Sequence, residues 1–366
     1  MKKAKEKIAM TAFNQNLQQL LEKGQGTAAR ALDKLPSFVQ DSLAKALGYP
    51  YIFPDLDPFI KCMMAAQLKQ GRQGFIGADY EKSRKQFDLQ MQSLRNKVTA
   101  VKHVEDLRLP LQSGTVFARH YHPAPGKKLP LIVFYHGGGF VVGSLDTHDE
   151  ACRLLAVHAK AQVLSIDYPL APEASPKQLI QCCEDALAWV FQNSKQLKVL
   201  KGRIAVAGDS AGANIATVVA QRTAQKAYAP HAQLLIYPVV DFKSRHPSFF
   251  AYKDGLVLTG GDVDHVTAFY AEQHQVELDD PLISPTYGKL KGLAPAFIVT
   301  AGHDLLHDEG EIYSHKLRQQ GVALHYQEYL DQTHGFINLT TVSTRAKKYH
   351  IELSKNFRKF WDKKNS

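Results

Sequence analysis

The sequence predicts an α/β fold in which a mostly parallel, eight-stranded sheet is flanked by helices and covered by a helical cap. Three observations carry that prediction. The strand-length runs after Leu129 are nearly continuous in apolar residues, as in Leu131-Ile132-Val133-Phe134-Tyr135, the pattern of parallel strands buried on both faces. Helical segments separate those runs, so β and α alternate and supply the crossovers that parallel neighbours need. At one junction, between Arg203–Ala207 and Ala213–Gln221, stands Gly208-Asp209-Ser210-Ala211-Gly212, a serine flanked by glycines at a strand-to-helix turn.

Taken in order, residues 1–100 form an N-terminal helical cap region and residues 101–366 the main domain. In the first region Phe13, Leu17, Leu20 and Leu21 share a helical face, and Pro36–Leu47 carries Phe38, Leu43 and Leu47. A third helix opens with Asp57 as its cap and Pro58 in its first turn, with Phe59, Ile60, Met63, Met64 and Leu68 as its apolar side. Beyond Lys102 the period changes. Candidate strands cover about 105–112, 115–122, 129–136, 162–168, 203–208, 232–237, 296–301 and 323–329. Ser113-Gly114 joins the first two as an antiparallel hairpin at the sheet's edge. Helices are expected over about 147–160, 175–194, 211–226, 308–320 and 336–361. An insertion at 242–285, with a helix over Asp262–Glu272, lies after a strand end and contributes to the cap.

Composition excludes several classes. The 45% hydrophobic and 22% charged content is that of a globular protein. The formal charge of +10 is concentrated at the ends, where residues 1–7 carry four lysines against Glu6, and 345–366 carry eight Lys/Arg against Glu352 and Asp362. In the last segment Tyr349, Leu353, Phe357 and Phe360 recur at helical spacing, so the basic residues form the wet face of an amphipathic helix, not a nucleic-acid surface. Cys62, Cys152, Cys182 and Cys183 show no zinc spacing and read as buried thiols of a reducing compartment. The charged and polar residues between Ala4 and Leu21 interrupt any signal-peptide core, and no apolar run reaches the roughly 18 residues of a spanning helix. A cytoplasmic protein with no stable membrane anchor is expected.

The serine turn gains its meaning from three other places. A hydroxyl is a poor nucleophile unless a base takes its proton and a third group orients that base. Asp304 lies just past the strand Phe297–Ala301, and His334 just past the strand Ala323–Tyr329, in the order Ser, Asp, His. Upstream, His136-Gly137-Gly138-Gly139-Phe140 follows the strand Leu131–Tyr135, and consecutive glycines let backbone N–H groups turn towards a developing oxyanion. Neither phosphate-loop pattern is present there. Asp308 and Glu309 are rival orienters, placed in the first turn of the next helix where acids favour the dipole. His303, His307 and Asp308 mimic a metal cluster but lack a further well-spaced ligand, so no metal and no cofactor is expected.

These motifs resemble the hormone-sensitive lipase family of α/β-hydrolases, the esterases bearing HGGG and GDSAG. The resemblance extends through Gly143-Ser144-Leu145-Asp146-Thr147-His148, Asp167-Tyr168-Pro169-Leu170-Ala171-Pro172-Glu173, Tyr237-Pro238-Val239-Val240-Asp241 and Ser284-Pro285 to Gly310, over about residues 50–360. It implies an α/β-hydrolase fold with Ser210 as nucleophile, His334 as base and Asp304 as its orienter. It also implies oxyanion donors among Gly137, Gly138, Gly139 and Ala211, and Phe140 and Asp209 are taken as substrate-binding. The implied activity is carboxylesterase hydrolysis of short- to medium-chain acyl esters through an acyl-enzyme. A lipase or deacetylase would use the same machinery, and a receptor resembling those for plant gibberellin would have lost the histidine. The partner is a small-molecule ester; a homodimer is left open.

Three departures from the family pattern stand out. Pro169 replaces the usual arginine, Ala213 replaces the usual glycine after GDSAG, and the first fifty residues exceed the shorter members.

Overall fold

The computed structural model describes residues 24–49, 53–69, 74–254 and 256–363. The expected helix on Phe13, Leu17, Leu20 and Leu21 lies outside them. Residues 24–33 are helical, and three further helices among the described residues precede the sheet: α1 (Ser37–Ala46), α2 (Pro58–Lys69) and α3 (Tyr80–Leu94). As the sequence predicts, Asp57 accepts the Phe59 N–H at 3.1 Å and Pro58 opens α2.

The sheet follows as β1 (His103–Leu111), β2 (Gly114–His122), β3 (Leu129–Tyr135), β4 (Gln162–Asp167), β5 (Val199–Asp209), β6 (Ala232–Ile236), β7 (Ala296–His303) and β8 (Leu324–Thr333). Its order is β1-β2-β4-β3-β5-β6-β7-β8. The β1–β2 and β2–β4 pairs are antiparallel and all others parallel. This is the hairpin-edged, mostly parallel eight-stranded sheet expected.

Helices α4 (Asp149–His158), α5 (Pro176–Gln192), α6 (Ala211–Thr223), α9 (His307–Gln319) and α10 (Thr344–Lys363) cover the two faces. Strand alternation sorts the core. Leu131, Val133, Tyr135, Val206 and Ile298 pack with Leu179, Ile180 and Ile215 of α5 and α6 and with Tyr313 of α9. Ile132, Phe134, Ala205, Leu234 and Phe297 pack with Leu155 of α4 and with Leu353, Phe357 and Trp361 of α10. Phe357 and Trp361 are fully buried, each contributing on the order of 2 kcal/mol of burial, while the lysines of α10 keep to its other side.

Two elements depart from the sequence reading. The helix expected over 336–361 is broken into a short 3-10 turn, Phe336–Leu339, and α10. The new start is capped locally, the Ser343 hydroxyl accepting the Ala346 N–H at 3.2 Å, and from far away, the Asp33 carboxylate accepting the Thr344 N–H at 3.1 Å. The insertion contains α7 (Pro247–Tyr252), which the sequence reading omits, and α8 (Gly260–Tyr270), slightly earlier than expected because Thr259 and Asp262 form a capping box there.

The N-terminal helices share a core of their own, in which Phe59 and Ile60 of α2 and Leu94 of α3 meet Leu256 of the insertion and Val342. The insertion is also tied to the segment before α3. Asp262 Oδ1 accepts the Phe75 and Ile76 N–H groups, both at 2.7 Å, while Oδ2 accepts the Thr259 N–H at 2.9 Å and hydroxyl at 2.7 Å. No described helix is long and apolar enough to cross a membrane.

Candidate active site

The central strand β5 ends at Asp209 and α6 begins at Ala211, leaving Ser210 alone in the turn at φ 55° and ψ −121°. A non-glycine residue there is strained, and the surroundings hold it: its N–H is bonded to Ile236 O at 2.9 Å. The turn closes this tightly because a Cβ at Gly208 would collide with the backbone of Gly212.

The strained backbone aims the hydroxyl at the ends of β7 and β8. His334 Nε2 lies 2.8 Å from Ser210 Oγ, and His334 Nδ1 lies 2.7 Å from Asp304 Oδ2. The other Asp304 oxygen accepts the Leu306 N–H at 2.9 Å, which fixes the carboxylate's orientation. All three residues are buried, and the Tyr237 ring packs against the imidazole at 4.6 Å between centroids. The rival acids are engaged elsewhere. Asp308 pairs with His307 and accepts the Ser248 N–H, and Glu309 accepts the Val240 N–H at 2.6 Å. Burial pushes the Glu309 carboxyl well above its ordinary range.

The glycine loop meets the serine from the other side. Gly138 and Gly139 have φ values of 118° and 59°, and Ala211 is the first residue of α6, so its N–H has no intrahelical acceptor. The expectation for Gly137 is corrected: its N–H is bonded to Asp209 Oδ1 at 2.8 Å and cannot serve an oxyanion. The expectation for Asp209 is corrected with it. Although Asp209 borders the larger cavity, its Oδ2 accepts the Tyr237 hydroxyl at 3.2 Å and His148 Nε2 lies 3.3 Å from its Oδ1. Burial opposes ionisation of this carboxyl, but His148 and the Gly137 N–H overcome it and hold the group below the usual carboxylate range. It is a pin between the serine turn and the glycine loop. Burial and the neighbouring His148 drive the His136 imidazole down to about 3, leaving it a neutral ring stacked on Tyr168. Phe140 is fully buried and stacked on Tyr270 at 3.8 Å, bordering the smaller cavity.

Ser210 opens onto two cavities. The larger, about 950 Å³ with its mouth, is lined by Met63 and Met64 of α2, Phe87 and Met91 of α3 and Phe75 of the segment between them, together with His334. The smaller, about 430 Å³, is lined by Phe140, Phe242, Leu258 and Val266 with Gly139 and Ala211. Sequence reasoning placed helices over this site but not Phe75, Phe87 or Met91 in its wall; their apolar periodicity is equally that of a core. It also missed His148 and Tyr237 as Asp209's partners, although both stand in runs that carry the family resemblance.

Two of the departures can be placed. Ala213, in the first turn of α6, is buried in the core. Near Pro169, a guanidinium comes from α3: Arg84 forms a two-pronged pair with Glu173 at 2.7 Å and donates to the carbonyls of Val141 and Ala171, each at 2.8 Å. Among the described residues one group, His307, Asp308 and Glu311, has metal-ligand spacing; both His307 nitrogens are already bonded, to Asp308 and Glu328. His303 stands apart from it, against Phe53 and Tyr252.

A mostly parallel sheet with a strained serine at its central strand end, reached by a histidine and an acid from two later strand ends, defines an α/β-hydrolase. Comparison with known proteins agrees. The family model described as alpha/beta hydrolase fold matches residues 132–338. The chain is 43% identical over 243 residues to the carboxylic ester hydrolase LipN of Mycobacterium tuberculosis, a match covering 64% of this chain and 65% of that protein. It is 32% identical over 302 residues to an ethyl acetate hydrolase of Pseudomonas putida, covering 80% and 94%. A hyperthermophilic esterase structure from Pyrobaculum calidifontis superposes with a TM-score of 0.77 at 35% identity, covering 83% and 98%. The chain thus spans slightly less than two thirds of LipN's length and nearly all of the other two. It belongs to the hormone-sensitive-lipase-like family of the α/β-hydrolase superfamily.

Proposed function

We propose that this protein is a carboxylic ester hydrolase that turns over short- to medium-chain acyl esters of small molecules through Ser210, His334 and Asp304. The observation that carries the reading is the continuous hydrogen-bonded path from Ser210 Oγ to His334 at 2.8 Å and from His334 to Asp304 at 2.7 Å. Relatives named as ester hydrolases support it. On this reading the described residues of the N-terminal region and of 242–285 together form the cap over the site.

Two half-reactions follow. His334 Nε2 takes the Ser210 proton as Oγ bonds to the ester carbon. Charge on the carbonyl oxygen is received by the N–H groups of Gly138, Gly139 and Ala211, reinforced by the positive end of α6. The imidazolium, stabilised by Asp304, then protonates the departing alcohol as its C–O bond breaks. A water deprotonated by His334 attacks the acyl-serine, and the acid leaves with Ser210 restored. An imidazole in bonding distance of the serine favours this reading over a non-catalytic receptor.

The test is Ser210→Ala. It should abolish hydrolysis of an aryl butyrate and labelling by a fluorophosphonate while leaving the thermal transition in place. Undiminished labelling of the variant would overturn the reading.

A further inference from the structure

The two cavities that meet at Ser210 differ in size and in which part of the reacting centre they border, and that asymmetry bears on the substrate. In a tetrahedral intermediate on Ser210 the oxyanion points at the donors of Gly138, Gly139 and Ala211. The alcohol oxygen must lie within reach of His334 Nε2, which delivers its proton, so the acyl chain leaves on the side away from the imidazole. Among the described residues His334 and Gly335 line the larger cavity and not the smaller one. Both cavities reach the oxyanion donors, the larger at Gly138 and the smaller at Gly139 and Ala211, so the imidazole is what distinguishes them. We infer that the larger cavity receives the alcohol and the smaller one the acyl group, so that the preferred substrates are short-chain acyl esters of bulky apolar alcohols. This assignment rests on the ester-hydrolase reading.

The chemistry of the walls agrees with the assignment. The smaller cavity is walled mostly by aromatic and branched side chains, with Asp241, Arg245 and Glu309 also on its border. Phe140, stacked on Tyr270, and Phe242, 6.2 Å from Phe140 between centroids, form one side, and Val266 packs onto Gly139. Aromatic stacks and β-branched side chains in contact with backbone cannot retreat from a longer chain without creating strain elsewhere. The larger cavity is compliant, because Met63, Met64 and Met91 have unbranched side chains that refill irregular space around guests of different outline. Gln67, Gln90 and Asn338 also border it, enough polarity to seat an alcohol carrying one or two oxygens without requiring a charged one. The larger cavity is thus suited to the varied half of the substrate and the smaller to the constant half.

The experiment separates the two halves of the ester. With a single alcohol, 2-(1-naphthyl)ethanol, kcat/KM is measured for acetyl, butanoyl, hexanoyl, octanoyl and decanoyl esters below their aggregation limits. With acetyl fixed, it is measured for ethyl, benzyl and 2-(1-naphthyl)ethyl esters, alkoxides of comparable leaving ability. Each buried methylene is worth about fourfold. The expected result is a fall of at least about tenfold from butanoyl to decanoyl and a rise of at least about tenfold from ethyl to naphthylethyl acetate. Phe242→Ala, or Leu258→Ala should the first fold poorly, should raise the decanoyl-to-acetyl ratio. Met91→Trp should lower the naphthylethyl-to-ethyl ratio. A wild-type enzyme faster on decanoyl than on butanoyl esters, or Met91→Trp shifting the acyl profile in place of the alcohol profile, would overturn the assignment. Hydrolysis surviving in Ser210→Ala would instead overturn the ester-hydrolase reading on which it rests.

Discussion

Asp262 offers the most informative perturbation, because this one carboxylate joins two segments distant in sequence directly above the oxyanion loop. It is almost wholly buried and accepts four hydrogen bonds, two from the Phe75–Ile76 backbone and two from Thr259. The Phe75–Ile76 strap matters to the site because Ile76 and Val266 both pack against Gly139. A hydrogen bond to a charged group contributes about 1.5–3 kcal/mol, so the two that hold the strap contribute together about 3–6 kcal/mol. Asp262→Ala removes both and leaves two backbone donors without an acceptor. Asp262→Asn keeps one accepting oxygen, for either the strap or the capping box but not both, and should lose about half as much. The loss is mostly local, since Ile76 alone of the strap enters the sheet-side core, at its rim beside Gly139. Displacement of oxyanion donors by as little as about 1 Å costs up to about a hundredfold. Asp262→Ala is therefore expected to lower kcat by about tenfold to a hundredfold on an aryl butyrate, with Asp262→Asn intermediate and the main thermal transition moved by only a few degrees. Wild-type kcat in Asp262→Ala would refute the idea that the strap positions the glycine loop.

Three further outcomes are expected. Asp304→Asn keeps the packing but offers His334 Nδ1 an amide in place of a charge, and should cut kcat by about ten-thousandfold with an unchanged circular dichroism spectrum; a fall below tenfold would point to a different orienter. Stability should depend on acid through buried neutral imidazoles, since burial brings His136 to about 3 and His350 to about 4, both below the roughly 6.5 of an unfolded histidine. The unfolded chain therefore binds more protons below that value. The stabilisation is complete above about pH 6.5 and is lost as pH falls towards 4, by up to about 2.7 kcal/mol per pH unit for the pair; flat urea midpoints between pH 7 and 4.5 would contradict this. Arg84→Lys keeps the charge but not the two-pronged geometry that meets Glu173 while reaching the Val141 and Ala171 carbonyls, and is expected to cost about 1–3 kcal/mol, measured by denaturant unfolding.

How far this protein could be read from its residues follows from the range of each interaction. The serine turn is legible because its causes are adjacent in sequence: glycines at 208 and 212, a strand before and a helix after. The chain order Ser210, Asp304, His334 is legible because each side chain sits just past its own strand, so strand ends alone place it. The α10 amphipathicity and the Asp57 cap are local in the same way. Tertiary structure alone decided what depends on partners far along the chain. Asp33 reaches Thr344 at the start of α10, Asp262 reaches back to Phe75 and Ile76, and Asp209 takes the Gly137 N–H out of the oxyanion hole while His148 lies against the same carboxylate. The same holds for the two cavities, the larger walled by α2, α3 and the insertion at once and the smaller by the insertion and the glycine loop. Local periodicity records which side of a helix is apolar; whether that side faces a core or a substrate is set by the packing of elements hundreds of residues apart, where no single segment carries the signal.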